Sequence, residues 1–323
     1  MSDTCSDISD LKSQALPPLN GEGSVADYFA LLKPRVMSLV IFTAFVGIAT
    51  APGHIHPWMG AMALLAIAIG AGASGALNMW YDADIDSVMK RTANRPVPSG
   101  AISAGDALGF GLVLSAGSVF VLGVLVNWFA AGLLAFTIFF YAVVYTMWLK
   151  RSTPYNIVIG GASGAFPPMV GWAAVTGGID LVSISLFMII FLWTPPHFWA
   201  LCLFRSGDYQ RANVPMLTVV AGVGETRRQI WFYTLAMVPF TFAPVALGAA
   251  GWLYTVVAIV LNAGFMWLAW KIYAAKSDDA LGDAPRRLFK FSIFYLFILF
   301  SGFLAEWALG LTPFTGLTGL YSG

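Results

Sequence analysis

Long apolar runs separated by short polar stretches recur along the chain. Nine are long enough to carry a helix across a bilayer: 36–52, 58–80, 106–126, 128–148, 157–176, 181–203, 230–249, 252–271 and 289–311. A span of the hydrocarbon layer takes roughly 20 apolar residues at the helical rise. The pattern therefore predicts an all-α polytopic integral membrane protein with nine transmembrane helices. Small residues fall inside these runs, as in GAGASGAL (70–77) and GGASGAF (160–166). They let membrane helices approach closely, which points to a compact bundle.

Composition sharpens this picture. Hydrophobic residues make up 59% of the chain, charged residues 10%, and the mean hydropathy is +0.77. A soluble domain averages roughly a quarter charged, so lipid must solvate most of this surface. Nine spans put alternate loops on opposite sides. All 17 lysines and arginines then fall on one side, with the N-terminal tail and the loops near 81–105, 149–156, 204–229 and 272–288. The positive-inside rule makes that side cytoplasmic. The opposite loops are short, and His54 and His56 are read there as solvated. A net charge of +1 gives no electrostatic basis for binding nucleic acid. Cys5 and Cys202 have no metal-like spacing and are not expected to pair.

Residues 1–27 are polar and lack both a signal-peptide pattern and an Arg-rich transit pattern. They read as a disordered cytoplasmic tail ahead of a membrane domain over 28–323. A bacterial inner membrane is the expected location, with the N-terminus cytoplasmic and the C-terminus periplasmic.

The polar motifs lie on the basic side. In NMWYDADIDSVMKRTANRPVPSG (78–100), Asn78, Asp82 and Asp86 are spaced i, i+4, i+8. Each helical step of four drifts only about 40°, so one face carries all three. Carboxylates at a membrane end are costly unless paired or metal-bound. Mg²⁺ takes oxygen ligands and commonly joins protein carboxylates to substrate phosphates. Asp84 points elsewhere on the turn. Lys90, Arg91 and Arg95 follow and suit an anion. Acids with a basic cluster fit a metal–diphosphate site; a charged helix end and membrane anchor is the alternative. In FLWTPPHFWALCLFRSGDYQRANVPML (191–217), Pro195 and Pro196 are expected to break or kink the sixth span. His197 follows them, either as a substrate contact or as a buried histidine bonded to a neighbouring helix, and Asp208 is a candidate fourth metal oxygen. In YAVVYTMWLKRSTPYN (141–156), Lys150 and Arg151 close the fourth span, and Tyr141 and Tyr145 share a face. They are either belt residues or an aromatic wall beside a cation. Lys33 and Arg35 in LLKPRV are anchors or anion contacts. Glu306, deep in the last span, is either functional or hydrogen-bonded near the far interface.

These stretches, with LLKPRVMSLVIFTAFVG (31–47), LKRSTPYNIVIGG and TPPHFWAL, closely resemble the UbiA superfamily of membrane prenyltransferases, in particular its haem-modifying branch. The resemblance covers nearly the whole chain after residue 28. It implies a ring of nine helices around a central cavity open to the bilayer. It implies that Asn78, Asp82, Asp86 and Asp208 serve as catalytic and Mg²⁺-binding residues. Lys33, Arg35, Lys90, Arg91, Arg95, Lys150 and Arg151 would bind diphosphate, and His197, Tyr141, Tyr145 and Asn156 would contact the substrates. Farnesyl diphosphate would be the donor and haem b the acceptor; pathway logic would add contact with haem A synthase. Most of the superfamily carry two acids at i, i+4 after the sixth span. Here Phe204 stands four residues before Asp208, which puts the second metal's coordination in doubt. A prenyltransferase acting on an aromatic quinone precursor would share the diphosphate site but would favour that missing acid pair. A transporter is the reading from another class; no inverted repeat supports it, and the polar groups cluster at one face rather than at the midplane.

Overall fold

The computed structural model describes residues 23–311, and all regular secondary structure among them is helical. The polar tail up to residue 22, with Cys5 and Lys12, lies outside the described residues, as do 312–323. Helix α1 (Val25–Leu31) starts before residue 28 because Ser24 and Asp27 form a reciprocal capping box. A 54° bend separates it from α2 (Pro34–Thr50). Then come α3 (Pro57–Tyr81), α4 (Ala83–Val88), α5 (Ala104–Leu125), α6 (Trp128–Phe139), α7 (Asn156–Thr176), α8 (Leu181–Arg211), α9 (Leu217–Val220), α10 (Gly222–Thr241), α11 (Ala243–Ala246), α12 (Trp252–Tyr273) and α13 (Ala284–Ala308). The second half of the fourth span, Phe140–Leu149, continues α6 as a π-helix. Among the described residues, eight helices are long and apolar enough to cross a membrane, and the bent α1–α2 pair, taken as one span, makes a ninth. The protein is thus a polytopic membrane protein, with its spans where the apolar runs place them.

The helix starts follow local chemistry. Pro57 occupies the first turn of α3, where no N–H is missed, and the His56 ring accepts the Trp58 N–H. Asn127 caps α6 through the Ala130 N–H and donates to the carbonyls of Ala173 and Ala174 at the end of α7. Asp180 and Ser183 cap α8.

Each span packs against the next, and α13 returns onto α2, closing the ring. Contacts of α2 with α7, and of α8 with α13, tie the ring across itself. The α2–α7 crossing brings backbone against backbone. A Cβ on Gly47 would stand 2.1 Å from the Pro168 carbonyl oxygen, and one on Gly171 would stand 2.3 Å from that of Ala44. Only glycine permits this approach in both directions.

The sixth span does not break at its prolines. α8 keeps helical backbone angles through Pro195 and Pro196 and departs from them only at Arg205 (φ −127°, ψ 17°). Proline's fixed φ is itself helical. The cost is two absent N–H donors and local crowding, and close packing tolerates it here, since both prolines are buried. The bend therefore falls between His197 and Asp208, not before both.

Candidate functional site

The acidic face forms where α3 ends. Asp82 is the C-cap of α3 and the N-cap of α4. Its N–H bonds the Asn78 carbonyl, and its own carbonyl accepts from Asp86 at 2.8 Å. The i, i+4, i+8 register therefore survives the junction. All three side chains are buried, at 4%, 0% and 2% exposure for Asn78, Asp82 and Asp86. Asp84 points away from them, being 62% exposed.

Each member of this face meets a basic group from elsewhere. Lys33 donates to Asn78 Oδ1. Its backbone is left-handed (φ 51°), a conformation rarely adopted by a residue with a β-carbon. Lys150 pairs with Asp82 Oδ2, and Arg95 with Asp86 Oδ2 at 2.5 Å. Arg151 clamps Asp84 through two nitrogens, donates to the Tyr81 carbonyl and lies over the Tyr81 ring. That hydrogen-bonded guanidinium holds the Asp84 carboxyl below the usual carboxylate range.

Four of the seven expected diphosphate-binding cations thus converge on the acidic face. The other three stay apart. Arg35 is exposed in the first turn of α2, and Lys90 and Arg91 are exposed beyond α4; none of their side chains makes a hydrogen bond or ion pair among the described residues. Asp208 pairs with Arg211, three residues on. Phe204 packs its ring on Phe289, beneath the Arg286 guanidinium, so apolar contact fills the place of the absent second acid.

Among the described residues, no three His, Cys, Asp or Glu side chains form a group able to hold an ion by themselves. Asp208 therefore does not complete a protein-only cage with Asp82 and Asp86. The donors at the acidic face nevertheless suit Mg²⁺. They are hard oxygens, and Asp82 Oδ1 is buried without a hydrogen bond, with the Arg151 guanidinium 3.8 Å away. Mg²⁺ commonly keeps few protein ligands and takes the rest from phosphate and water.

The π-helical segment brings up the remaining groups. Tyr141 and Tyr145 lie with ring centroids 5.6 Å apart. Tyr145 is seated on α7: a Cβ on Gly160 would fall 2.1 Å from its ring. Asn156, at the start of α7, is fully buried; its amide donates to the Thr153 carbonyl at 2.6 Å, while Oδ1 has no partner.

His197 is the buried histidine bonded to a neighbouring helix. Its ring is stacked between Trp193 (4.3 Å) and Phe289 (4.6 Å), and Nδ1 lies 2.5 Å from Ser292 Oγ of α13. Trp193 Nε1 donates to the Ser292 carbonyl. Both ring faces are covered, which leaves Nε2 as the atom it can offer to a substrate.

Thr146 went unnoticed at the sequence level, because one threonine in an apolar run gives no signal. A trace was present in spacing. Thr146 and Lys150 are four apart, like Asn78 and Asp82, and the structure pairs them in that order, each pair 68 residues apart.

Residues 40–298 match the model of the UbiA prenyltransferase family. A protein named protoheme IX farnesyltransferase from Parvibaculum lavamentivorans is 62% identical over 311 residues, covering 96% of this chain and 97% of that one. Protoheme IX farnesyltransferase 2 of Mesorhizobium japonicum is 63% identical over 285 residues, covering 88% and 91%. Among solved structures, a UbiA homologue from Archaeoglobus fulgidus bound to DMAPP and Mg²⁺ superposes with a TM-score of 0.65 at 15% identity, covering 86% of this chain and 99% of that one. That last likeness is one of fold.

Proposed function

The chain belongs to the UbiA prenyltransferase family, and from that premise we propose that it transfers the farnesyl group of farnesyl diphosphate to a vinyl group of haem b, releasing diphosphate and giving haem O. The observation that carries this reading is the buried face of Asn78, Asp82 and Asp86, met by Lys33, Lys150 and Arg95 from three other segments. It is joined by the kinship with farnesyltransferases over nearly the full chain.

The cations do the binding work. A diphosphate entering this end exchanges Lys33 from the Asn78 amide, and Lys150, Arg95 and Arg151 from the protein's own acids, onto its oxygens. As the allylic C–O bond breaks, charge grows on the departing diphosphate, and fixed cations in a water-poor site favour that state over the ground state. Asn78, Asp82 and Asp86 would hold Mg²⁺, which when bound supplies charge neutralisation at the leaving group. Asp208 sits beyond the Arg205 kink and would reach a second ion only by leaving Arg211. Lys90, Arg91 and Arg35, exposed at the same end, draw the anion in before it docks.

The farnesyl cation is carried on the apolar side of this end, where the Tyr141 and Tyr145 rings offer their faces. The vinyl π-electrons of haem b form the new C–C bond. The cation left beside the porphyrin takes up water, which loses a proton to become the hydroxyl. Electrons balance without an oxidant. His197 Nε2 and Asn156 Oδ1 are the polar atoms left to orient the acceptor. Phe204, where an acid would stand, weighs against a quinone-precursor acceptor. The basic end faces the cytoplasm of a bacterial inner membrane.

The test is direct. Purified protein in lipid is incubated with haem b, farnesyl diphosphate and Mg²⁺, and mass spectrometry looks for haem carrying a hydroxyethylfarnesyl group. Product from the wild type and none from Asp82→Ala is the expected result. Transfer to a phenolic acceptor with none to haem overturns the acceptor. No transfer to either overturns the reaction.

A further inference from the structure

Thr146 stands in the π-helical half of the fourth span and is fully buried. Its Oγ1 donates to the Tyr141 carbonyl at 2.8 Å and accepts from Asn78 Nδ2 at 3.1 Å. A hydroxyl has one hydrogen. With that hydrogen committed to Tyr141, only lone pairs face Asn78, so Asn78 must turn its NH₂ toward Thr146. The same NH₂ reaches Asp82 Oδ2 at 2.6 Å. The opposite end of the amide, Oδ1, is thereby aimed at Lys33. The reversed amide would set NH₂ against an ammonium and would offer a hydrogen where a metal or cation needs an oxygen.

The π-helix makes this possible. Its bonds run five residues back, as from the Lys150 N–H to the Tyr145 carbonyl, and the wider turn presents Thr146 and Lys150 together to α3. Long π-helical stretches are rare and tend to mark functional sites.

From this geometry we infer that Thr146 is a positioning residue: it fixes the Asn78 amide so that Oδ1 is presented to the metal–diphosphate site. The inference rests on the diphosphate-site reading given above.

Two variants separate a positioning role from a structural one. Thr146→Val keeps the shape and removes both hydrogen-bonding functions; Thr146→Ser keeps the hydroxyl. Mn²⁺ binding to the full-length protein in detergent is followed by electron paramagnetic resonance with farnesyl thiodiphosphate present, and KM for haem b is measured alongside. The expected result is a Mn²⁺ dissociation constant raised about 10-fold or more in Thr146→Val, the scale seen when a ligand's supporting partner is lost. KM for haem b stays unchanged, and Thr146→Ser binds Mn²⁺ as the wild type does. Equal Mn²⁺ binding by Thr146→Val and wild type overturns the inference while leaving the site intact, as does Mn²⁺ binding left weakened in Thr146→Ser. Absence of Mn²⁺ binding by the wild type itself overturns the diphosphate-site reading, and the inference with it.

Discussion

Asp82 and Asp86 at the basic end are each paired with a cation, and pairing is what lets them be buried. Asp82 is fully buried against Lys150, and Asp86 nearly so against Arg95. Removing one partner of such a pair strands the other charge away from water, which costs several kcal/mol, on the order of 3–5. Lys150 is also the cation best placed to follow a leaving diphosphate from Asp82. We therefore expect Lys150→Gln to lower kcat for farnesyl transfer by about 100- to 1000-fold, the cost of losing one group that stabilises developing charge; steady-state kinetics on detergent-solubilised protein would check it. The Asp84–Arg151 pair is of a different kind. It lies in the open, and its contribution is present above the unfolded carboxyl pKa and fades as pH falls through the lowered folded value. Solvent screening keeps that contribution small. Asp84→Asn should accordingly leave the thermal midpoint at neutral pH almost unchanged, in contrast to Asp82.

Among the elements, α12 is held at both ends by other helices. Glu306 of α13 accepts the N–H groups of Gly251, Leu253 and Tyr254 at 2.8, 3.1 and 3.4 Å. Arg227 of α10 donates to the carbonyls of Ile272 and Tyr273. A carboxylate at the N-terminus and a guanidinium at the C-terminus match the helix dipole in sign. Glu306 thus caps α12, hydrogen-bonded as the second of its two readings has it. Glu306→Ala leaves backbone donors orphaned in an apolar setting, at about 1–3 kcal/mol. A lowered unfolding temperature in detergent, with specific activity retained below it, is the expected outcome; loss of activity at unchanged stability would contradict it. Asn262, midway along α12, donates to Thr241 at the end of α10 and accepts from Tyr295 of α13, which ties the same three helices together.

In the molecule as a whole, a closed ring of spans separates two unlike ends. The basic end carries the acid–cation pairs, while the other is closed by neutral or capping contacts such as Asn127 to α7 and Glu306 to α12. One apolar groove of about 490 Å³ lies between α3, α5 and α6, and another of about 310 Å³ lies at the α1–α2 bend, where Lys33 and Arg35 line it. The sidedness is open to test in cells with a Cys5→Ser, Cys202→Ala background. A cysteine at Ser277 should react only with reagents that reach the cytoplasm, and one at exposed Ile179 with reagents kept outside. The reverse pattern would invert the orientation.

What the chain determines by itself is whatever lipid imposes locally. A segment must be apolar for the full thickness of the bilayer, and basic flanks favour one side, so nine runs give the spans and seventeen cations on alternate connections predict their sidedness without any contact being known. The Asn78–Asp82–Asp86 register was legible for the same reason, because helical spacing is a property of one segment. Tertiary structure decided everything that joins segments. The partners of Asn78 and Asp82 come from 45 and 68 residues away. The π-helical turn aims Thr146 and Lys150, and aromatic rings close over His197. Straight passage of α8 through Pro195 and Pro196 belongs with these. Local propensity argues for a break, and only the packing around the two rings makes an unbroken helix the better solution.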